Sequence, residues 1–232
     1  MIRIRKANER GHAEHGWLHS WHTFSFADYY DPQHMGHSVL RVINDDTVEP
    51  GQGFGTHPHR DMEIISWVLE GALEHRDSMG HGSVIRPGEV QRMSAGTGVT
   101  HSEFNPDKTE RTRFLQIWIL PDRRGYPPRY SQQHFPDEEL HNSLRLVVSP
   151  DGNNGSIPIH QDIRLYIARL DAATPLTQAI APGRKAYVHL ARGELRLNGM
   201  AMQAGDGAYI EAETSLEFKD GKAAELLLFD LP

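Results

Sequence analysis

The chain has 232 residues, of which 38% are hydrophobic and 24% are charged, a composition typical of a folded globular protein rather than a disordered one. Its formal net charge of −7 argues against a broad nucleic-acid-binding surface, because a phosphate backbone is bound by a basic field. It has no cysteine, which excludes disulfides and thiolate ligands, so any metal must be bound by histidine and carboxylate side chains.

Short apolar or alternating runs recur along the chain, separated by turns rich in glycine and proline. Short strands at such regular spacing predict an all-β fold, either a sandwich or a barrel. One helical turn is expected over residues 137–142. The predicted strands lie, in chain order, at residues 38–43, 63–69, 114–120, 144–148, 164–170, 186–190 and 225–229.

A repeated order of elements divides the chain into two halves. The strand that ends at Gly71 is followed by a hairpin, a second glycine turn and a closing strand, and the strand that reaches Gly193 is followed by the same order. This repeat predicts a duplicated β-unit. Residues 121–136 contain four prolines, which is typical of a linker or an extended arm. The expected organisation is an N-terminal domain (1–121), a linker (122–140) and a C-terminal domain (141–232).

Two short motifs place metal-binding side chains two residues apart. In an extended strand, His57 and His59 point to the same face, and His101 and Glu103 repeat that spacing. Two such strands side by side would aim three nitrogens and one oxygen at one point, a donor set that suits a divalent transition metal ion. The corresponding part of the second half, residues 214–218, has no histidine, so we expect one metal site per chain.

The identity of the carboxylate ligand stays open between two glutamates. Glu63 lies four residues after His59 and would face the same way if the strand were regular. Glu103 is favoured because its two-residue offset from His101 needs no assumption about strand continuity. Glu63 would then orient the free N–H of one histidine, or be a buried polar residue with a local partner.

These motifs resemble those of the cupins, and the fuller string resembles the pirin family. Gly51-x5-His57-x-His59-x3-Glu63 is similar to the first cupin motif, and Gly98-x2-His101-x3-Asn105 is similar to the second. The chain departs from the pattern because seven residues rather than six separate Glu63 from Gly71, and because Gly96 replaces a usual proline. The segments that resemble the pirins are residues 21–26, 57–60, 69–71 and 98–103.

The pirin resemblance covers the whole chain and implies two tandem cupin-type β-barrels, with a metal in the N-terminal barrel and a degenerate C-terminal barrel. It implies one metal ion, Fe(II) or alternatively Mn, Ni, Cu, Co or Zn, bound by His57, His59, His101 and Glu103. It also implies quercetin 2,3-dioxygenase activity, with a flavonol and O2 as reactants and Glu103 as the catalytic carboxylate. The competing hypothesis is a redox-responsive regulatory protein that binds metal and a protein partner without turnover.

Other residues carry weaker expectations. For Phe24, Phe26, Trp67 and Trp118, a place in the core is favoured over a place in a substrate pocket. The remaining histidines of the first half are expected to be too scattered for a second site: His12, His15, His19, His34, His37, His75 and His81. His160 and His189 are expected at surface or strand positions. The polar first twelve residues and the lack of a long apolar segment predict a cytoplasmic protein without membrane contact.

Overall fold

The computed structural model describes residues 1–171 and 175–232, and strands dominate these residues, which confirms the all-β prediction. In these described ranges, helical structure is limited to α1 (Asp137–Leu140) and the 3-10 turns Ala7–Glu9 and Asn153–Gly155. No helix in the described ranges is long and apolar enough to cross a membrane. The strands are β1 (Ile2–Arg5), β2 (Gly11–Glu14), β3 (Leu18–His22), β4 (Leu40–Val48), β5 (Gly53–His59), β6 (Glu63–Glu70), β7 (Leu73–Asp77), β8 (Gly82–Ile85), β9 (Glu89–Ser94), β10 (Val99–Phe104), β11 (Thr112–Ile119), β12 (Arg129–His134), β13 (Arg145–Ser149), β14 (Ile157–Pro158), β15 (Arg164–Leu170), β16 (Leu176–Ala179), β17 (Lys185–Leu197), β18 (Met200–Gln203), β19 (Gly207–Glu211) and β20 (Ser215–Leu231).

The chain forms two compact units, which we call the N-unit and the C-unit. The N-unit comprises Gly11–His134 and Ile159–Gln161, and the C-unit comprises Met1–Arg10, Phe135–Pro158 and Asp162–Pro232. These limits differ from the expected domains at three places, of which Ile159–Gln161, expected in the C-terminal domain, is the shortest. The first residues belong to the C-unit because β1 pairs with β19. Much of the expected linker belongs to the N-unit because β12 pairs with β9 as an edge strand.

The N-unit consists of two antiparallel sheets. The larger has the strand order β12-β9-β6-β11-β4-β3-β2, and the smaller has the order β5-β10-β7-β8. Within the described residues these sheets form a sandwich rather than one continuously hydrogen-bonded barrel, which corrects the closed-barrel expectation. The physical reason lies between β5 and β6, where Asp61 adopts a left-handed conformation (φ 49°) and the chain passes from one sheet to the other.

The core of the N-unit includes an apolar cluster, and its central strand β6 is buried at every residue but the last. Val68, Leu73, Ile85 and Phe114 are fully buried in one apolar cluster, to which strands of both sheets contribute. Burial of such side chains stabilises the fold by roughly 1.5–3 kcal/mol each. The sandwich therefore holds the ends of β5 and β10, where the histidine motifs lie, against a rigid apolar layer.

The C-unit contains a sheet with the order β1-β19-β17-β20-β15-β13-β14, with β16 and β18 paired to β20 and β17. The long strands β17 and β20 pair along most of their length, with register shifts near Arg192 and Glu194 that allow them to bend. Val188, Leu190 and Leu228 lie in its apolar core. The duplicated unit therefore keeps a fold-stabilising core without a histidine cluster among its described residues.

We expect Gly193→Ala to destabilise the protein by more than about 3 kcal/mol in urea unfolding. Gly193 has φ +69°, and an added Cβ would lie 2.3 Å from the carbonyl oxygens of Lys222 and Ala223. Gly199 is the matched control, since it has φ +79° with open space around it. Gly199→Ala should cost only about 1 kcal/mol of backbone strain. Equal losses for the two variants would contradict this account of the close approach between Gly193 and β20.

Candidate metal centre

The pairing of β5 with β10 brings three histidines together. His101 lies directly opposite His57, and His59 lies two residues further along β5. The three ring centroids are 4.5–4.8 Å apart. One ring nitrogen from each histidine lies within 4.8 Å of the other two. The expected convergence of these imidazoles is thus a feature of the structure, and we call His57, His59 and His101 the histidine cluster.

The hydrogen bonding of the histidine cluster leaves ring nitrogens available for a metal ion. His57 Nδ1 lies 2.8 Å from the carbonyl oxygen of Gly55, so Nδ1 donates and Nε2 keeps a lone pair for a ligand. His101 Nε2 is buried and has no hydrogen-bond partner among the described residues. Leaving a buried polar atom unpaired costs roughly 1–3 kcal/mol. A metal bound at these nitrogens would remove that cost.

The electrostatics of the cluster also favour the metal-binding form of imidazole. Burial, with a further contribution from His57, lowers the pKa of His59 to about 4. Burial and the neighbouring histidines lower the pKa of His101 to about 2. Both rings are therefore neutral at pH 7, which is the form that binds a metal ion.

Glu103 is a buried carboxylate beside the cluster. Its Oε2 accepts a hydrogen bond of 2.7 Å from Gln116 Nε2, and its Oε1 accepts a longer one of 3.4 Å from Ser66. It forms a group with His75 and His101, whose possible ligand atoms lie within 4.8 Å of one another. Burial, and to a lesser extent the charge of Asp46, raises the pKa of Glu103 to about 8. Glu103 thus lies next to His101 and is held by polar partners.

Glu63, the alternative ligand, is engaged elsewhere. It lies on β6 in the other sheet, beyond the turn that ends β5. Its Oε1 lies 3.0 Å from His160 Nδ1, and its Oε2 accepts a hydrogen bond of 2.8 Å from Ser94. His160 in turn stacks on Tyr126 at a ring-centroid distance of 3.7 Å. Of the two roles considered for a non-ligating Glu63, its contacts match a buried polar residue with local partners.

His75 is a residue that the sequence analysis missed. It is fully buried on β7, opposite Glu103, and its Nδ1 lies 3.4 Å from His101 Nδ1. Its Nε2 lies 3.2 Å from Asp77, and its ring stacks on Tyr130. The spacing of His75 and Asp77 repeats that of the other two motifs, which is the one signal in the sequence. His75 therefore helps to fix the orientation of the His101 ring through the contact between their Nδ1 atoms.

A second histidine group lies on the β2–β3 hairpin, contrary to the expectation that these histidines are scattered. Ligand atoms of His12, Glu14 and His19 lie within 4.8 Å of one another. The Glu14 carboxylate, however, pairs with His19 Nδ1 at 2.5 Å and accepts a hydrogen bond from the Gly16 amide. The contact between the half-exposed Glu14 and His19 side chains thus links the two strands of the hairpin.

A cavity of about 610 Å³ borders the cluster, and His57, His59 and Glu103 are part of its wall. This volume is within the range of small-molecule sites. Among the aromatic residues considered above, Phe26 and Trp118 line the cavity, whereas Phe24 and Trp67 are buried in the core. The other lining residues are His12, Ala13, His15, Trp17, Leu18, Ser20, His22, Ala27, Asp28, Tyr29, Asn44, Asp46, Phe54 and Gln116.

Comparison with known sequences gives matches over most of the chain. The sequence model of the Pirin family matches residues 3–119, and that of the quercetinase C-terminal cupin domain matches residues 146–231. A quercetin 2,3-dioxygenase of Escherichia coli (strain K12) is 51% identical over 232 residues, which cover 100% of this chain and 99% of that relative.

Comparison with solved structures gives the same relatives. The crystal structure of the bacterial pirin YhhW from Escherichia coli in complex with nickel(II) matches with a TM-score of 0.95 and 51% identity, covering 100% of this chain and 99% of that one. The protein YhaK from Escherichia coli matches with a TM-score of 0.75 and 28% identity, covering 96% of this chain and 98% of that one. The two-unit fold is therefore shared with solved proteins along its whole length.

We expect the free energy of unfolding of the metal-free protein to fall by about 1 kcal/mol as the pH rises from 7 to 8.5. Burial raises the pKa of Asp46 to about 7 and that of Glu103 to about 8, so the folded state holds protons that the unfolded state has lost. The stability that these protons contribute is lost as the pH passes through the folded-state values. Urea unfolding at several pH values measures the slope of the free energy of unfolding against pH.

Glu103→Gln is the variant that isolates this effect, because its side chain does not titrate. The slope between pH 7 and 8.5 should decrease by more than half in this variant. Above pH 7, the lowered pKa values of His59 and His101 contribute little, since both rings are almost fully neutral in the folded and unfolded states. An unchanged slope in Glu103→Gln would show that its carboxyl group is ionised in the metal-free fold.

Proposed function

Because the chain belongs to the pirin family, we propose that it is a quercetin 2,3-dioxygenase-like oxidoreductase, which opens the central ring of a flavonol with O2 and releases carbon monoxide. The observation that carries this proposal is the cavity beside the histidine cluster, with Glu103 in its wall. A pocket of this volume accommodates a small aromatic molecule. The quercetin 2,3-dioxygenase of Escherichia coli supports the reaction class, and the nickel(II) complex of the Escherichia coli pirin supports metal binding.

We infer that His57, His59 and His101 hold one divalent metal ion and that Glu103 supplies the fourth ligand. Fe(II) is the proposed native ion, with Ni, Mn, Cu, Co and Zn as alternatives, because an imidazole and carboxylate set accepts all of them. The nickel complex of the Escherichia coli pirin supports a site of this kind. When bound, the ion would supply Lewis acidity toward the 3-hydroxyl and 4-carbonyl oxygens of the substrate and a centre for reaction with O2.

The residues around the cavity would position the substrate and move one proton. The substrate's 3-hydroxyl must be deprotonated before its ring reacts with O2, and the Glu103 carboxylate in the cavity wall is the proposed acceptor of that proton. Gln116 and Ser66 hold the carboxylate in place. Trp118 packs edge-on against His59 and Phe26, at centroid distances of 5.0 and 5.3 Å, and would give a flat substrate an apolar contact that excludes water.

The proposed reactants are therefore a flavonol and O2, and no nucleic-acid or membrane partner is proposed. The cavity favours this enzyme over a regulatory protein without turnover, because partner binding alone needs no cavity beside the metal ligands. A protein partner and a cytoplasmic location stay predictions.

The proposed function predicts that the metal-loaded protein consumes quercetin under oxygen and releases carbon monoxide. Each of the six divalent metals is loaded in turn, and the loss of the flavonol absorption band and the carbon monoxide formed are measured. His101→Ala should lower turnover by at least about 10³-fold, because the histidine cluster loses one of its three ring nitrogens. His141→Ala, a change at a half-exposed histidine of the C-unit, is the matched control and should keep full activity.

Turnover that His101→Ala does not reduce would contradict the proposal, and so would the absence of carbon monoxide with every metal. Conversion of the flavonol without O2 would instead indicate an isomerase or a hydrolase at the same site.

We expect Glu103→Gln to lower kcat by about 10²–10⁴-fold, because the amide cannot accept the proton from the 3-hydroxyl. Glu63→Gln is the control of the same chemistry, since Glu63 contacts His160 and Ser94 rather than the histidine cluster. Its kcat should change by less than about threefold. Steady-state kinetics on proteins of equal metal content checks the pair, and a larger loss in Glu63→Gln would reverse the assignment of the two glutamates.

A further inference from the structure

Two polar side chains in the cavity wall have unpaired atoms. Asn44 and Asp46 are each 3% exposed and both line the cavity. The Oδ1 atoms of both residues are buried without a hydrogen-bond partner among the described residues. Each such atom costs roughly 1–3 kcal/mol in the absence of a ligand. Because both residues line a cavity of small-molecule size, a bound molecule can supply these hydrogen bonds.

The strand register explains why the protein itself does not satisfy these atoms. Asn44 lies opposite His22 and Gln116 in a row of inward-facing polar residues that crosses the larger sheet. Gln116 already donates to Glu103 through Nε2 and accepts from Ser66 through Oε1. The row consists of Gln132, Gln91, Ser66, Gln116, Asn44 and His22, one from each of β12, β9, β6, β11, β4 and β3.

Asp46 lies two residues along β4 from Asn44 and therefore points to the same face. Its partner within the protein is Ser20, the residue opposite it on β3. The two side chains are thus part of the polar section of a wall that also contains the aromatic rings of Phe26, Phe54 and Trp118. An aromatic wall with a polar edge matches a flat ring that carries hydroxyl groups.

We propose that Asn44 and Asp46 bind hydroxyl groups on the aromatic rings of the substrate, other than the 3-hydroxyl that meets the metal, and so select polyhydroxylated rings. This inference rests on the proposed function, which supplies the flavonol. An amide oxygen accepts a hydrogen bond from a phenolic O–H, and a ring without hydroxyls leaves both Oδ1 atoms unpaired. Sites of this kind discriminate strongly, because the wrong ligand buries polar groups without partners.

In the ligand-free protein, Asn44 is not expected to stabilise the fold. An apolar side chain of similar size at position 44 removes an unpaired atom, so Asn44→Leu should not lower the urea midpoint of unfolding. A residue kept for structural reasons would show the opposite behaviour. Stability and ligand affinity are therefore expected to change independently at this position.

The test compares two flavonols on the zinc-loaded protein without oxygen. Quercetin carries hydroxyls on its aromatic rings, whereas 3-hydroxyflavone keeps only the 3-hydroxyl and the 4-carbonyl. Quenching of tryptophan fluorescence gives the Kd of each for the wild type and for Asn44→Leu, with Asn44→Ala as a second variant that adds no volume. Thr47→Val is the control on the same strand, because Thr47 does not line the cavity.

Asn44→Leu and Asn44→Ala should weaken quercetin binding by about tenfold or more and change 3-hydroxyflavone binding by less than about twofold. Asp46→Asn, which keeps a hydrogen-bonding group of the same shape, should retain the preference for quercetin within about threefold. An equal loss for both flavonols would overturn the proposal, and so would a lowered unfolding midpoint in both Asn44 variants.

The outcome separates this inference from the proposed function. Selective binding without turnover under oxygen would support the hydroxyl site and overturn the dioxygenase. Turnover of both flavonols with equal kcat/KM would support the dioxygenase and overturn the hydroxyl site. Failure of the wild type to bind either flavonol would overturn both.

Discussion

The antiparallel pairing of β5 with β10 is the constraint on which the site depends. It places His101 opposite His57, and alternation along β5 adds His59 to the same face. The register shift comes from an extra residue of β5 between Phe54 and His57, whereas β10 stays regular against β7. Glu103 therefore lies opposite His75 and on the same face as His101. Two short strands therefore supply both a metal-binding cluster and a neighbouring buried carboxylate.

The polar interior of the N-unit is the second determinant. Burial keeps the imidazoles of His59 and His101 neutral, which is the form that binds a metal ion, and it raises the pKa values of Asp46 and Glu103. A metal ion bound beside Glu103 would favour its ionised form and so oppose that effect of burial. The C-unit has the same strand-rich architecture with an apolar core.

The sequence predicted the all-β fold from local alternation, and it predicted the histidine cluster from two motifs with the two-residue spacing of an extended strand. Other features depend on contacts between distant segments and were therefore out of reach. His75 joins the site only through the pairing of β7 with β10, and Glu63 leaves it because the chain changes sheet at Asp61. The edge strand β12 was not predicted, because it lies in the proline-rich segment and its polar residues show no apolar alternation. The sequence also did not predict the unpaired Oδ1 atom of Asn44, since polar residues in a strand are normally interpreted as solvent-facing.

The central claim is that three imidazoles hold one divalent ion in the N-unit, and metal stoichiometry tests it most directly. The protein is loaded with Ni(II), freed of excess metal by gel filtration and weighed by native mass spectrometry as wild type, His59→Ala and Glu63→Gln. The account predicts one ion per chain in the wild type and in Glu63→Gln, and less than about one-tenth of an ion in His59→Ala. Loss of the ion from Glu63→Gln with retention in His59→Ala would contradict it.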